Sequence, residues 1–354
     1  MLRYVIKRVL LIIPTMLIVS LFVFLLVNIT AADPGRLKLG TMATQEQVDA
    51  VNHELGYDRP VLVRYGTWVW DAFHGDFGKT WYTNRPVFDE LKARLPYTAK
   101  LTFLGIVSAI IVGVPLGIWC AVKRNSIADY TLSTAAMFMA AMPVFWISLL
   151  LLLTFSLKLG WFPSSGVKMG WKSWVLPVFP LTIGYGAGYI RFTRTAMLDN
   201  IFQDYVRTAR SKGCSEQSVI WKHAFRNSMM TLTTITGLSV AGLMGGAFVL
   251  ESVFSIPGLG VWGVNSITKK DVPAIMASLI TIGTLFIIIM IIIDILYAFL
   301  DPRVRSMYGQ SKRKIKKLYD VWVPTADEIA AMEDPVLPED MVPEILKRGG
   351  QSNG

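Results

Sequence analysis

Few residues of this chain are placed to do chemistry. The three histidines, His53, His74 and His223, are scattered, and no spacing of His, Cys and carboxylates suits a metal. No P-loop pattern occurs, so the chain cradles no nucleotide phosphate of its own. Gly258-Leu259-Gly260-Val261-Trp262-Gly263 matches GxGxxG letter for letter, but that pattern means a dinucleotide only between a strand and a helix. Here it follows Pro257 in a short loop between apolar runs, and a turn is expected. Asp294 is the one acid inside an apolar run, where an ion-coupled carrier or channel would place one. It also lies within about two turns of Asp301, Pro302 and Arg303, close enough to reach an interface or a basic partner. Thr233, Thr236 and Ser239, with Thr234, Gly242, Gly245 and Gly246, set hydroxyl and small residues along another run. Such residues pack helices tightly or line a polar path.

The richest stretch runs from Asp204 to Asn227. Its first half favours helix, Gly213 is a stop, and Ser215 is placed to cap a second helix. Val219, Ile220 and Phe225 give that second helix an apolar side. Two short helices joined at a glycine make a knob rather than a tether.

These residues have to be held by something apolar. Of 354 residues 53% are apolar and 17% charged, against roughly 25% charged in soluble globular chains. The apolar residues gather in charge-free runs bounded by Arg8 and Asp33, Lys100 and Lys123, Asp129 and Lys158, Lys172 and Arg191, Arg226 and Glu251, and Asp271 and Asp294. Each holds about 18 residues or more, enough to cross a hydrocarbon core of about 30 Å. Six transmembrane helices are expected. The fourth carries Pro177, Pro180, Gly184, Gly186 and Gly188, so it should be surrounded by protein or line a cavity. The net charge of +10 follows membrane topology and not nucleic acid, because its basic residues flank the runs.

Arg3, Lys7 and Arg8, then Lys123 and Arg124, then the loop 193–230, then Arg303 to Lys317 put both termini in the cytoplasm by the positive-inside rule. The first run is too long for a signal-peptide core, and a retained helix is expected despite a small-residue site at Thr30-Ala31-Ala32. Cys120 and Cys214 fall on or near the cytoplasmic side, so no disulfide is expected. In the outer segment 33–99, the spacing Val61, Tyr65, Trp68 predicts a short amphipathic helix in a cap on the membrane surface. The tail turns from basic (Lys312 to Lys317) to acidic and Pro-broken, and its end is expected to be mobile.

The 204–227 stretch resembles the "EAA" coupling loop of membrane subunits of binding-protein-dependent ABC importers. Thr208 and Ala209 stand before Gly213 in the usual frame, with Arg207 where a Glu is common, and His223-Ala224-Phe225-Arg226-Asn227 is similar to the dipeptide/oligopeptide/nickel permease branch. The runs Glu54 to Pro60, His74 to Gly78, Glu251 to Gly260 and Asp294 to Arg303 resemble the same branch. Thr231 replaces a frequent Pro, which favours a straighter start to the fifth span. The resemblance covers about residues 1–308.

It implies an all-α, MetI-like integral membrane protein. Its parts would be a first helix (1–32), an extracytoplasmic segment (33–99), a permease core (100–308) with its coupling loop at 193–230, and a cytoplasmic tail (309–354). Implied partners are a second permease subunit, two ATPase subunits, an extracytoplasmic substrate-binding protein and the lipid bilayer of a bacterial or archaeal cell membrane. ATP and Mg would be bound by the ATPases, leaving this chain without cofactor or catalysis. Arg207, Thr208, Ala209, Lys212, Gly213, Ser215, His223, Arg226 and Asn227 would form the ATPase-coupling surface. Peptide is the default cargo, with nickel and oligosaccharide as alternatives.

Overall fold

Apolar runs of this length satisfy their backbone in hydrocarbon by forming helices. The computed structural model describes residues 2–30, 34–40 and 42–300, and among them no strand forms beyond one isolated bridge between Lys79 and Pro86. The tail, the Ala31-Ala32 site and the side chain of Asp294 lie outside what is described.

Helix α1 (Leu2–Thr30) leads into an outer region of α2 (Pro34–Leu39), α3 (Gln45–Glu54) and α4 (Val61–Phe73). The amphipathic helix expected around Tyr65 is α4. It packs along α1, with Tyr65 Oη donating to the Leu17 carbonyl at 2.8 Å and its ring edge-on to Phe24. Arg64 stacks over Tyr57, 3.7 Å from the ring centre. Burial lifts the Tyr57 hydroxyl above the usual tyrosine pKa, while Arg64 pulls it the other way.

Helix α5 (Val87–Val122) begins well before Lys100, where the second run was expected to start. Charges interrupt an apolar run without ending a helix, and Asp89 and Glu90 in the first turn suit its positive end. The third run is not one straight span. It divides into α6 (Ile127–Ala141) and α7 (Val144–Leu151), the latter continuing in wide π-type turns to Lys158, and the two halves bend by 95°. Pro143 sits at the break, where it cannot donate to the preceding turn. Helix α8 (Lys172–Ile201) is followed by α9 (Asp204–Ser211), α10 (Glu216–Ser218), α11 (Arg226–Gly246), α12 (Phe248–Val253), α13 (Leu259–Thr268) and α14 (Val272–Leu300).

By length and apolarity, four helical stretches among the described residues could cross a membrane: Ile12–Ile29, Val87–Val122, Glu216–Gly245 and Val272–Ile293. The bent α6–α7 pair makes a fifth if it is one span. Helix α8, at 30 residues, is long enough but less apolar. Its Pro and Gly content finds the protein surroundings expected of it, since Pro177, Pro180, Gly186 and Tyr189 are buried.

The α5–α8 pair is the spine of the fold. Gly105, Ala109, Gly113 and Gly117 recur at every fourth position of α5 and let α8 approach closely. A Cβ at Gly113 would lie 2.6 Å from Tyr189 Cβ and 2.7 Å from the Gly186 carbonyl. At Gly117 it would lie 2.6 Å from Thr193 Cβ. At Gly242 and Gly245 of the fifth span a Cβ meets nothing of this chain within 4 Å among the described residues. In α11 the close approach is at Gly237, against Ile293 of α14.

Candidate functional site

The corner after α9 is a complete Schellman turn. Gly213 N–H donates to the Arg210 carbonyl at 2.9 Å and Cys214 N–H to the Ala209 carbonyl at 3.2 Å. This geometry needs a left-handed residue, and Gly213 has φ +77°. Ser215 then caps the next helix, its Oγ accepting from Ser218 N–H at 3.4 Å. Arg210 closes the corner by donating from Nε and Nη2 to the Glu216 carboxylate at 3.2 and 2.7 Å. The hydrogen-bonded guanidinium holds the Glu216 pKa below its usual value, and the carboxylate in turn raises that of Arg210. Beneath, Val206, Ala209 and Val219 form a small buried cluster.

The second half differs from expectation in one respect. It is no separate short helix: from Glu216 it passes through wide turns at Val219–Phe225 directly into α11. No Gly or Pro stands between Ser215 and Gly237, and Thr231 leaves the helix unbroken. The knob is therefore one arm of a long helix plus α9. A side-chain relay ties it to the bundle. Tyr205 Oη donates to Asn200 Oδ1 at 2.8 Å, and Asn200 Nδ2 to Ser228 Oγ at 3.2 Å. Ser228 Oγ in turn donates to the Ala196 carbonyl at 3.0 Å, so α8, α9 and α11 are locked together.

On this scaffold Arg207, Thr208, Lys212, Gly213 and Ser215 are exposed, as are Arg226 and Asn227 at the head of α11. His223 is half-buried, and Ala209 lies underneath, 7% exposed. The exposed members form a surface, whereas Ala209 supports it. Thr233, Thr236 and Ser239 sit on α11 and are half-buried. Thr233 bonds only its own helix, at the Met229 carbonyl. Thr236 accepts from Tyr189 Oη at 3.0 Å, which places it in helix packing against α8.

Three arrangements were not foreseen from sequence. The relay above is one. Another is the ion pair of Arg194 with Asp129, joining residues 65 apart. The third involves the glycine-rich GxGxxG run, which is the start of α13, with a carboxyl group of the chain itself already seated there. Glu251 is fully buried; its Oε2 accepts from Val261 N–H at 2.8 Å and its Oε1 from Thr98 Oγ1 at 2.5 Å. Thr98 Oγ1 accepts in turn from Leu259 N–H at 2.8 Å. A carboxyl at a helix N-terminus needs no nucleotide to explain it. No group of three or more His, Cys, Asp or Glu gathers as a metal site among the described residues.

Among the described residues the chain is a bundle of long apolar helices with a polar knob between two of them. The chain belongs to the binding-protein-dependent transport system inner membrane component family, matched over residues 113–306, with the N-terminal membrane component of the same systems matched over residues 1–102. It is a multi-pass protein of the inner membrane. A Brucella abortus permease named for a peptide transport system is 40% identical over 309 residues, covering 85% of this chain and 98% of that one. The glutathione transport system permease of Escherichia coli is 40% identical over 305 residues, covering 86% and 99%. The fold is similar to that of the methionine ABC transporter in an inward-facing conformation, with a TM-score of 0.52 over 60% of this chain and 96% of that one, at 18% identity.

Proposed function

We propose that this chain is a non-catalytic permease subunit of an ATP-driven peptide importer. In this reading six spans, counting α8 and the bent α6–α7 pair, place both termini and the 193–230 loop in the cytoplasm. A second permease chain completes the pathway, two ATPase subunits bind ATP and Mg, and an extracytoplasmic binding protein delivers cargo. Relatives named for peptide and for glutathione, itself a tripeptide, support the cargo class. The open, small-residue face at Gly242 and Gly245 is suited to the second permease.

One observation carries the coupling role: the exposed surface of Arg207, Thr208, Lys212 and Ser215 is mounted on a corner hydrogen-bonded to both α8 and α11. A stiff lever with differential contacts in two states is what ATP-driven closure needs in order to move helices. Replacing Gly213 by Asp tests this. A Cβ at Gly213 meets nothing within 4 Å, and Asp is among the residues that visit the left-handed region, so the variant should insert and assemble with modest strain. The assembled complex should then hydrolyse ATP without uptake; full uptake would remove the coupling role. Cys214, exposed in the loop, tests the topology. A membrane-impermeant maleimide should label it in right-side-out vesicles only after permeabilisation.

A further inference from the structure

Helices α6 and α8 meet around an ion pair of a buried Asp129 and a half-buried Arg194. Arg194 Nε and Nη2 donate to Asp129 Oδ1 and Oδ2 at 2.6 and 2.8 Å, and Asp129, 1% exposed, also accepts from Asn125 N–H at 3.1 Å. Beside the pair a groove of about 330 Å³ opens between the two helices. Arg191 stands exposed at its mouth, 5.0 Å from the Phe192 ring centre, and its guanidinium has no hydrogen bond or ion pair among the described residues. Tyr130, Ser133, Thr134 and Thr195 add hydroxyls to its lining, and Ala136, Met137 and Ile190 add apolar side chains. Asp129 cancels Arg194, so the groove carries one net positive charge with apolar surface beside it.

We propose that this groove binds an anionic phospholipid, with Arg191 meeting the headgroup phosphate and one acyl chain lying along Met137 and Ile190. Arg191 is an exposed cation at the cytoplasmic end of an apolar span, and basic pockets between spans on that side suit anionic headgroups. The groove's lining combines cationic and hydroxyl groups with apolar side chains, as the two halves of such a molecule require. The exposed Met137 and Phe138 side chains continue the apolar surface along α6. A soluble anion would use the mouth and leave that apolar surface uncovered. The inner leaflet is assigned on the topology proposed above.

The test uses the full chain, with the subunits that co-purify, in a neutral detergent. Phosphatidylglycerol, phosphatidylcholine and glycerol phosphate are titrated separately while retained lipid is counted by native mass spectrometry and melting is followed. Phosphatidylglycerol alone should be retained and raise the melting temperature. Arg191→Gln should weaken its binding about fivefold, Arg191→Lys should keep most of it, and Lys158→Gln should change nothing. Equal retention of phosphatidylcholine, an unaffected Arg191→Gln variant, or an equal response to glycerol phosphate would overturn the site. So would efficient cross-linking of Thr134→Cys to a second permease chain, which would mean a protein occupies the groove. Labelling of Cys214 from outside intact vesicles would sink the leaflet assignment alone, since lipid selectivity is read without it.

Discussion

Two glycine corners of this molecule do opposite things. At Gly213 the chain turns in the open, at φ +77°, and an added Cβ would meet nothing within 4 Å. At Gly258 the backbone is ordinary, with φ −89°, and an added Cβ would collide with the Glu251 carboxyl. Gly213 is there for an angle and Gly258 for room. The first corner leaves its polar side chains outward, available to another protein. The second turns its polar groups inward and spends them on itself, as Thr98, Glu251, Leu259 and Val261 bond one another. The corner that presents its side chains is held by caps and an exposed ion pair, while the one that encloses them is held by a buried network.

The inward corner should break hardest. Glu251→Ala removes an acceptor and leaves Thr98 and Val261 N–H without it, at a cost of about 3 kcal/mol. The expected result is a much lower melting temperature in detergent and poor accumulation in membranes. Glu251→Gln keeps one acceptor oxygen and should lose less; equal damage from both would mean that shape, not hydrogen bonding, holds the corner. Next comes the α5–α8 spine. Gly113→Val should cost about 1–3 kcal/mol by forcing the helices apart, again read by melting. A neutral result there would show that the close approach of α8 is not fixed by small residues.

The contrast also explains what could be read in advance. The Gly213 stop and the Ser215 cap were legible because caps and Schellman turns are local, written within a few residues. The amphipathic α4 was legible from periodicity. Charge-free runs marked most of the long helices but misplaced their ends. Asp89, Glu90 and Arg94 interrupt apolarity without interrupting α5, and Pro143 bends a run that contains no charge. The buried polar links could not be read at all: Thr98 to Glu251 and Asp129 to Arg194 join residues far apart in the chain, and nothing local announces either partner. The small-residue stripe of α5 is written at a four-residue spacing, whereas Gly242 and Gly245 of α11 face open space.

The outward corner should yield more gently, and in a way that separates angle from surface. Gly213→Ala carries the left-handed penalty of about 1 kcal/mol without any clash, whereas Gly213→Asn tolerates that conformation and should melt close to the parent. Any loss of uptake by Gly213→Asn must then come from the surface the corner presents.

The smallest effect belongs to Arg210 and Glu216, whose side chains are 39% and 59% exposed. The Glu216 pKa is lowered by its bond to Arg210, so the folded corner holds the charged form more strongly than the unfolded chain does. That stabilisation is complete above the unfolded glutamate pKa of about 4.3 and is lost as pH falls through the lowered folded value. Exposed pairs contribute less than about 1 kcal/mol, too little to shift global melting. Local hydrogen exchange can resolve it. Protection at Gly213 and Cys214 should hold at neutral pH and drop as pH goes below the ordinary glutamate range, and Glu216→Gln should flatten that dependence. A loss of protection that persists in Glu216→Gln would mean the Schellman turn opens for some other reason, and that the ion pair is a bystander to the stiffness of the knob.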